Sequence, residues 1–401
     1  MYPRHLTKYI LKYAKEYPIL ALVGPRQSGK TTLVKSLFPS YKYVSLENIT
    51  TRKVASEDPR GFLQTYGSFL ILDEVQNVPE IFSALQQLVD EDQTPAQYIL
   101  TGSSQFLLIE NITQSLAGRI VTFKLFPFSF SEICRYEQEK SGDEIFRVMH
   151  PDRIPVSQEE LFQFLLKGSY PRIYDKNIEG QKWYENYILT YVERDIRILL
   201  NVRNLRVFEH FLLLCASRSG QLVDYNDLSN ALGIAVSTVK EWISILETSG
   251  IIFILSPFFN NFSKRVTKTP KLYFIDTGIL CHLLSIQTVD HLKTHPLLGW
   301  IFETFIISEC YKRFCNLGVS PPLYFYRDSA QNEIDLLIYN GICGFPVEIK
   351  LSQSFHFDYR KSIEQWMNLP NNPADKGLIV YCGEDIVQKG EPIPAVPWYL
   401  F

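Results

Sequence analysis

The first third of the chain alternates short apolar runs with polar, helix-favouring segments. Residues 18–23, 41–46, 68–72, 97–100 and 119–125 are rich in Ile, Leu, Val and aromatic side chains, and each predicts a β-strand. Between them, residues 32–38, the polar stretch ending near Phe62 and Leu63, and residues 79–89 predict helices. Apolar strands with intervening helices predict a parallel sheet covered on both faces. Farther on the period becomes helical, at residues 161–166, 183–200 and 208–218. Two short helices then meet at Gly233, the second ending in Gly250 before the β run 251–255, which is the pattern of a winged helix-turn-helix. An amphipathic helix at 300–311 and strands at 323–328, 332–339 and 344–351 close the chain. The expected units are residues 1–130, 131–205 (helical), 206–290 (winged helix) and 295–401, with the charged piece 137–144 as a surface loop or boundary.

The turn after the first strand carries chemistry. Gly24-Pro25-Arg26-Gln27-Ser28-Gly29-Lys30-Thr31 fits G-x-x-x-x-G-K-[ST] and opens into the helix that begins near Thr32. Its glycines let the backbone close around phosphates, so that successive N–H groups and a helix N-terminus face the negative charge. Lys30 is expected on the β- and γ-phosphates of ATP and Thr31 on Mg²⁺. The strand 68–72 delivers Asp73 and Glu74 at its carboxyl end, where ligands sit in an open α/β sheet. Asp73 is expected to share the Mg²⁺ and Glu74 to orient or deprotonate the attacking water. Strand 97–100 ends in Thr101, Gly102, Ser103 and Ser104. Ser103 is the candidate for sensing the γ-phosphate, with Thr101 pointing into the sheet and a simple polar turn as the alternative. Arg119 reads either as a group stabilising phosphoryl charge, in its own site or a neighbour's, or as a solvated arginine.

Composition narrows the setting. With 401 residues and 46% hydrophobic content the chain exceeds one core, and a net charge of −3 leaves no global basic field for nucleic acid. Contact with DNA must therefore be local, as at Ser237, Thr238, Lys240, Glu241 and Ser244 of the second short helix, or at Lys264, Arg265, Lys268 and Lys271 of the wing. The seven cysteines are scattered without C-x-x-C spacing, and no apolar run approaches the ~18 residues of a membrane span, so a reduced cytoplasmic setting is expected. His291 and His295 have the i,i+4 spacing of a helical zinc pair but lack its glutamate and precede Pro296, so no zinc is expected. Charges at 193–197 have helix-pair spacing and read as a solvated face.

The order GPRQSGKTT, FLILDEVQ, YILTGSS, SLAGRI and LFPFSFSE resembles the prokaryotic AAA-type ATPases that carry a trailing domain of unknown function. The resemblance implies a P-loop NTPase parallel sheet with an extra strand between the strands bearing the glycine loop and Asp73, and ATP as the nucleotide. A second copy of the chain is a further expected partner.

At the end of the chain, strand period two places Glu348 and Lys350 on one face and Val347, Ile349 and Leu351 on the other. Asp335 and Glu348 with the Lys350 ammonium would make a Mg²⁺ site with a lysine that orients water for phosphodiester attack. Charge alternation on an exposed strand is the alternative. The D-x(12)-E-x-K spacing resembles the PD-(D/E)XK nucleases, with Glu303 matching the extra acid of some members. The resemblance implies an α/β, restriction-endonuclease-like fold. The expected function is an Mg²⁺-dependent ATPase coupled to a winged-helix and nuclease-like module acting on DNA, or an ATP-gated switch or scaffold that cuts nothing.

Overall fold

The computed structural model describes residues 2–103, 116–136, 150, 153–191, 205–259, 269–369, 372 and 374–401. The first sheet holds β1 (Ile19–Val23), β2 (Lys42–Ser45), β3 (Leu70–Asp73), β4 (Tyr98–Gly102) and β5 (Ile120–Lys124) in the order β2-β3-β4-β1-β5. Every pairing in it is parallel. The strand β4 lies between β1 and β3, as the resemblance implied.

Period two divides β1 between two cores. Ile19, Ala21 and Val23 pack with Phe62 and Leu63 of α4 (Pro59–Tyr66) and with Phe82 and Leu85 of α5 (Ile81–Glu91). Leu20 and Leu22 pack with Tyr9 and Ile10 of α1 (Thr7–Tyr13) and with Leu33 and Val34 of α2 (Lys30–Leu37). Each fully buried aliphatic side chain contributes about 1.5–3 kcal/mol, so β1 is anchored from both sides and the loop after it starts from a fixed point. The helix α3 (Ile49–Glu57) starts at Asn48, whose side chain accepts from Thr51 N, and α4 starts at Asp58 with Pro59 in its first turn.

Helices follow: α6 (Phe130–Ile133), α7 (Gln158–Lys167), α8 (Pro171–Asp175), α9 (Gly180–Tyr191) and α10 (Leu205–Ser217). Capping boxes start α6 at Ser129 and Glu132 and α7 at Ser157 and Glu160. Then α11 (Tyr225–Leu232) and α12 (Val236–Thr248) meet at Gly233 and lead into β6 (Ile252–Pro257), whose antiparallel partner is β7 (Lys271–Phe274). The remaining elements are α13 (Thr277–Leu283), α14 (Val289–Thr294), α15 (Leu298–Asn316), β8 (Leu323–Arg327), β9 (Glu333–Tyr339), β10 (Gly344–Lys350), α16 (Lys361–Met367), β11 (Leu378–Tyr381) and β12 (Ala395–Pro397).

The expected boundary near residue 290 does not separate two folds. The second sheet runs β12-β11-β10-β9-β8-β6-β7, and Ser256 and Pro257 of β6 pair in parallel with Tyr324 and Phe325 of β8. Leu246, Phe253, Tyr273, Phe302, Phe325, Leu336 and Trp398 share one core, which also takes in Phe126 and Phe130 from the end of the first unit. A hairpin has two edges, and the free edge of β6 is covered by β8 rather than left to solvent.

Candidate functional site

The glycine loop joins β1 to α2. Gly24 has φ 149°, and a Cβ there would lie 2.1 Å from the Leu125 carbonyl oxygen, so the loop leaves the sheet through a gap only glycine fits. Gly29 caps α2 in the left-handed region, φ 96°. Pro25, Arg26, Gln27 and Ser28 form the arc between them. Lys30 is buried and its Nζ donates to the carbonyls of Gly24 and Pro25, 2.8 Å each.

Behind the lysine the two expected metal-holding groups meet. Thr31 Oγ1 lies 3.2 Å from both carboxylate oxygens of Asp73. The same carboxylate accepts from Tyr43 OH at 2.6 Å and from Thr101 Oγ1. Burial, and then the adjacent Asp73, raise the Tyr43 phenol above its ordinary range, so it stays a donor. A carboxylate beside a hydroxyl at a helix start is a fitting hard-oxygen donor pair for Mg²⁺, a cation that usually keeps several waters.

Glu74 is in the left-handed region, φ 56° and ψ 45°. Its Oε2 accepts from Ser103 Oγ at 2.9 Å, from Ser103 N at 3.3 Å and from the Gln76 side chain. Ser103 thus holds Glu74 with both its hydroxyl and its backbone N–H. Thr101 is fully buried, as expected.

A cleft of about 840 Å³ opens over these groups. Gln27, Lys30, Thr31, Thr32 and Glu74 line it together with Arg4, Phe128, Pro171 and Arg172. Arg4 and Arg172 escaped the sequence reading because they carry no motif and reach the cleft only through the fold. Arg4 donates to Ser28 O at 2.8 Å and to Phe126 O at 2.6 Å, and pairs with the fully buried Glu132 at 3.1 Å. It braces the loop from behind.

Arg119 is placed elsewhere. Ile120, next to it, pairs with Ile19 at the start of β1, while the glycine loop follows Val23 at the other end. Its guanidinium forms a bidentate pair with Asp90 of α5, at 2.5 and 2.9 Å. A role in its own active site is excluded by that position.

The C-terminal acids come together across the second sheet. Leu336 on β9 faces Val347 on the antiparallel β10, so the next step of that register sets Asp335 against Glu348. Lys350 Nζ lies 2.6 Å from Glu348 Oε1 and 3.8 Å from Asp335 Oδ2, and Ile349 N donates to Asp335 Oδ2 at 2.8 Å. Asp335 and Glu348 are buried, which excludes the exposed-strand alternative. Glu303 of α15 joins them, accepting from Tyr273 OH at 2.6 Å. Burial, then the neighbouring Asp335, push the Glu348 carboxyl up to about 8 against the pull of Lys350. Burial pushes Glu303 up to about 7 although Lys271 opposes it. Burial disfavours the charged form of Lys350, but Asp335 and Glu348 together carry its pKa above the ordinary range. Among the described residues no group of three or more His, Cys, Asp or Glu has the spacing of a closed metal cage. Two carboxylates fit Mg²⁺, which is commonly held by one or two.

The expected DNA face divides. Ser237, Lys240, Glu241 and Ser244 are exposed on α12 and Thr238 is half-buried. Lys264, Arg265 and Lys268, like the charges at 193–197 and the piece 137–144, lie outside the described residues. Lys271 is only 2% exposed and bound to acids, so it cannot meet DNA phosphates. The His291 and His295 rings stand 5.7 Å apart, with no metal cluster around them among the described residues. All seven cysteines are free. No helix among the described residues is long and apolar enough to cross a membrane.

A five-stranded parallel sheet with this loop, strand order and paired acids is the arrangement of a P-loop NTPase fold, and residues 16–134 match the family described as "AAA domain". Residues 158–290 and 298–401 match two domains of unknown function, DUF8612 and DUF4143. An uncharacterized protein of Mycobacterium tuberculosis is 26% identical over 385 residues, covering 95% of this chain and 80% of its own. One of Methanocaldococcus jannaschii is 24% identical over 435 residues, covering 98% and 86%. Among solved structures, a Walker-type ATPase of Pyrococcus abyssi has TM-score 0.46 and 14% identity over 71% of this chain and 96% of its own. The RuvB Holliday junction branch migration motor of Thermotoga maritima has TM-score 0.31 and 19% identity over 61% and 87%.

Proposed function

We propose that the chain is a Mg²⁺-dependent ATPase whose nucleotide state is relayed to a nuclease-like acid site that acts on DNA. The observation that carries the ATPase reading is the chain of contacts from Thr31 through Asp73 to the neighbouring Glu74, held by Ser103 at the mouth of the cleft. Lys30 and the loop N–H groups would bind the β- and γ-phosphates, and Arg172, which lines the same cleft, would add a second cation there. Thr31 and Asp73 would hold Mg²⁺, which supplies charge neutralisation at the phosphates. Glu74 orients a water and takes its proton. A part for Arg119 in this chemistry would require a second copy of the chain.

The relay follows from one buried junction. Ser169, three residues before Arg172, donates to Asp276 from its N at 2.6 Å and from its Oγ at 2.7 Å. Lys312 of α15 donates to Ser169 Oγ at 3.1 Å and to Phe128 O at 3.2 Å, and pairs with Glu309 at 3.0 Å. Phe130 N donates to Glu309 at 2.6 Å. The same helix carries Glu303 nine residues earlier, about 13 Å along its axis. Movement of the cleft wall with nucleotide therefore has a stiff connection to the acid site. The exposed face of α12 is the surface offered to DNA.

The second reading, a nucleotide-gated switch that cuts nothing, is favoured by the ammonium groups already seated among the acids. The test is ATP turnover together with cleavage of labelled duplex, single-stranded and branched DNA in Mg²⁺ or Mn²⁺. Lys30→Ala should abolish ATP binding, Glu74→Gln should keep binding and lose turnover, and Lys350→Ala should abolish cleavage. Turnover without cutting of any substrate selects the switch. Unaltered ATP affinity in Lys30→Ala refutes the ATPase site.

A further inference from the structure

Lys271 belongs to β7, in the segment before the C-terminal domain, yet its side chain ends inside the C-terminal acid cluster. Its Nζ lies 2.6 Å from Glu333 Oε1 and 3.4 Å from Glu303 Oε1, and the residue is 2% exposed. The aromatic rings of Trp300 and Phe325 stand 5.8 and 5.4 Å from the same ammonium. Arg327 approaches the other oxygen of Glu333 at 3.6 Å. An ammonium bridging two carboxylates does what a divalent ion would do there: it cancels their repulsion and fixes their spacing. The other half of the cluster also carries an ammonium, Lys350, 2.6 Å from Glu348 and 3.8 Å from Asp335, but that side chain is one-third exposed and leaves one carboxylate oxygen unbound. Glu348 is 5% exposed, and its Oε2 has no hydrogen-bond partner among the described residues, although Oε1 is bound by Lys350.

We propose that Lys271 is a built-in cation of the C-terminal site, filling the place between Glu303 and Glu333 that a second divalent ion would take. The site then accepts a single divalent ion, at Asp335 and Glu348. This rests on the metal reading of those two acids given above. It also makes the middle segment a structural component of the acid site, in keeping with the sheet that β6 and β7 share with β8.

Mn²⁺ binding to the full chain, counted by calorimetric titration and electron paramagnetic resonance, tests it. Any ion at Thr31 and Asp73 is common to all variants, so differences between variants count the C-terminal ions. Glu348→Gln should bind one ion fewer than the parent, Lys271→Met one more, and Lys271→Arg the same number. Removing the ammonium leaves Glu303 and Glu333 facing each other, so Lys271→Met is expected to melt at lower temperature, with Mn²⁺ restoring much of the loss. Adding Glu333→Gln should remove both the extra ion and the rescue. A Lys271→Met chain that gains no ion and is not rescued by Mn²⁺ overturns the proposal, as does a parent with two C-terminal ions. If Glu348→Gln loses nothing while Lys271→Met still gains an ion, the role of Lys271 stands and the metal reading of Asp335 and Glu348 fails.

Discussion

Lys312 is the group whose removal best tests whether the nucleotide cleft and the C-terminal region act as one body. It is 3% exposed, and Lys312→Met keeps the length of the side chain while removing the charge and every donor. Phe128 O and Ser169 Oγ then lose their donor, and Glu309 loses its cation. Breaking a buried pair from one side costs about 3–5 kcal/mol. Glu309 keeps its bond from Phe130 N and a side-chain exposure of 15%, which puts the expected cost at the lower end, about 3 kcal/mol. With a urea m-value of about 3 kcal/mol/M, the midpoint should fall by about 1 M. Trp398, whose ring lies 5.0 Å from that of Phe130, reports the transition by fluorescence. The double variant Glu309→Gln/Lys312→Met leaves no unpaired buried charge and should recover most of the loss. If the junction carries nucleotide coupling of about 1–3 kcal/mol, Lys312→Met should also weaken ATP binding by about 5–150-fold, although the lysine does not line the cleft. A variant that unfolds at the parent's midpoint and binds ATP within about twofold of the parent's affinity refutes both the energetic argument and the relay.

Three further outcomes follow from the site. Gly24→Ala drives a Cβ to within 2.1 Å of the Leu125 carbonyl, a backbone atom with nowhere to go. The overpacking of about 1–3 kcal/mol should appear in filter binding as a loss of ATP affinity of about 5–150-fold, and unchanged affinity would show that the loop can re-route. Ser103→Ala removes a donor from Glu74, so steady-state kinetics should show kcat lowered by about tenfold with ATP affinity unchanged. A change confined to affinity would return Ser103 to the γ-phosphate. The raised carboxyls of Glu303 and Glu348, about 7 and about 8 against an ordinary 4.5, bind more protons in the folded chain than in the unfolded one. Their stabilising contribution is complete below about pH 4.5 and is lost as pH rises through 7 and 8. In chelator, the parent's urea midpoint should therefore decline from pH 5.5 to 8.5, and Glu348→Gln should decline less; parallel slopes would contradict the assignment.

Contiguous chemistry was readable from the chain itself. The glycine loop needs its glycines, lysine and threonine within eight successive residues, and Asp73 with Glu74 needs only a strand that ends in acids. Both are local requirements, so their spacing survives in one dimension, and the unbroken apolar run Ile19 to Val23 likewise fits a strand buried on two faces. Asp335, Glu348 and Lys350 were legible for a related reason, since strand period two and one hairpin register bring them together.

The tertiary structure decided what depends on neighbours distant in sequence. Arg4 braces Ser28 and Phe126, Arg172 faces the cleft, and Lys312 ties Phe128 to Ser169, each across a separation that no periodicity encodes. It set Ser103 against Glu74 and Arg119 at the far end of the sheet against Asp90. Lys271 shows the limit most plainly. In the sequence it is one cation in a basic wing; in the fold, the pairing of β6 with β8 carries that wing into the C-terminal sheet and turns its lysine inward onto Glu303 and Glu333. A side chain's charge is written in the sequence, but its counter-charge is chosen by packing, because burial makes an unpaired ion too costly to keep.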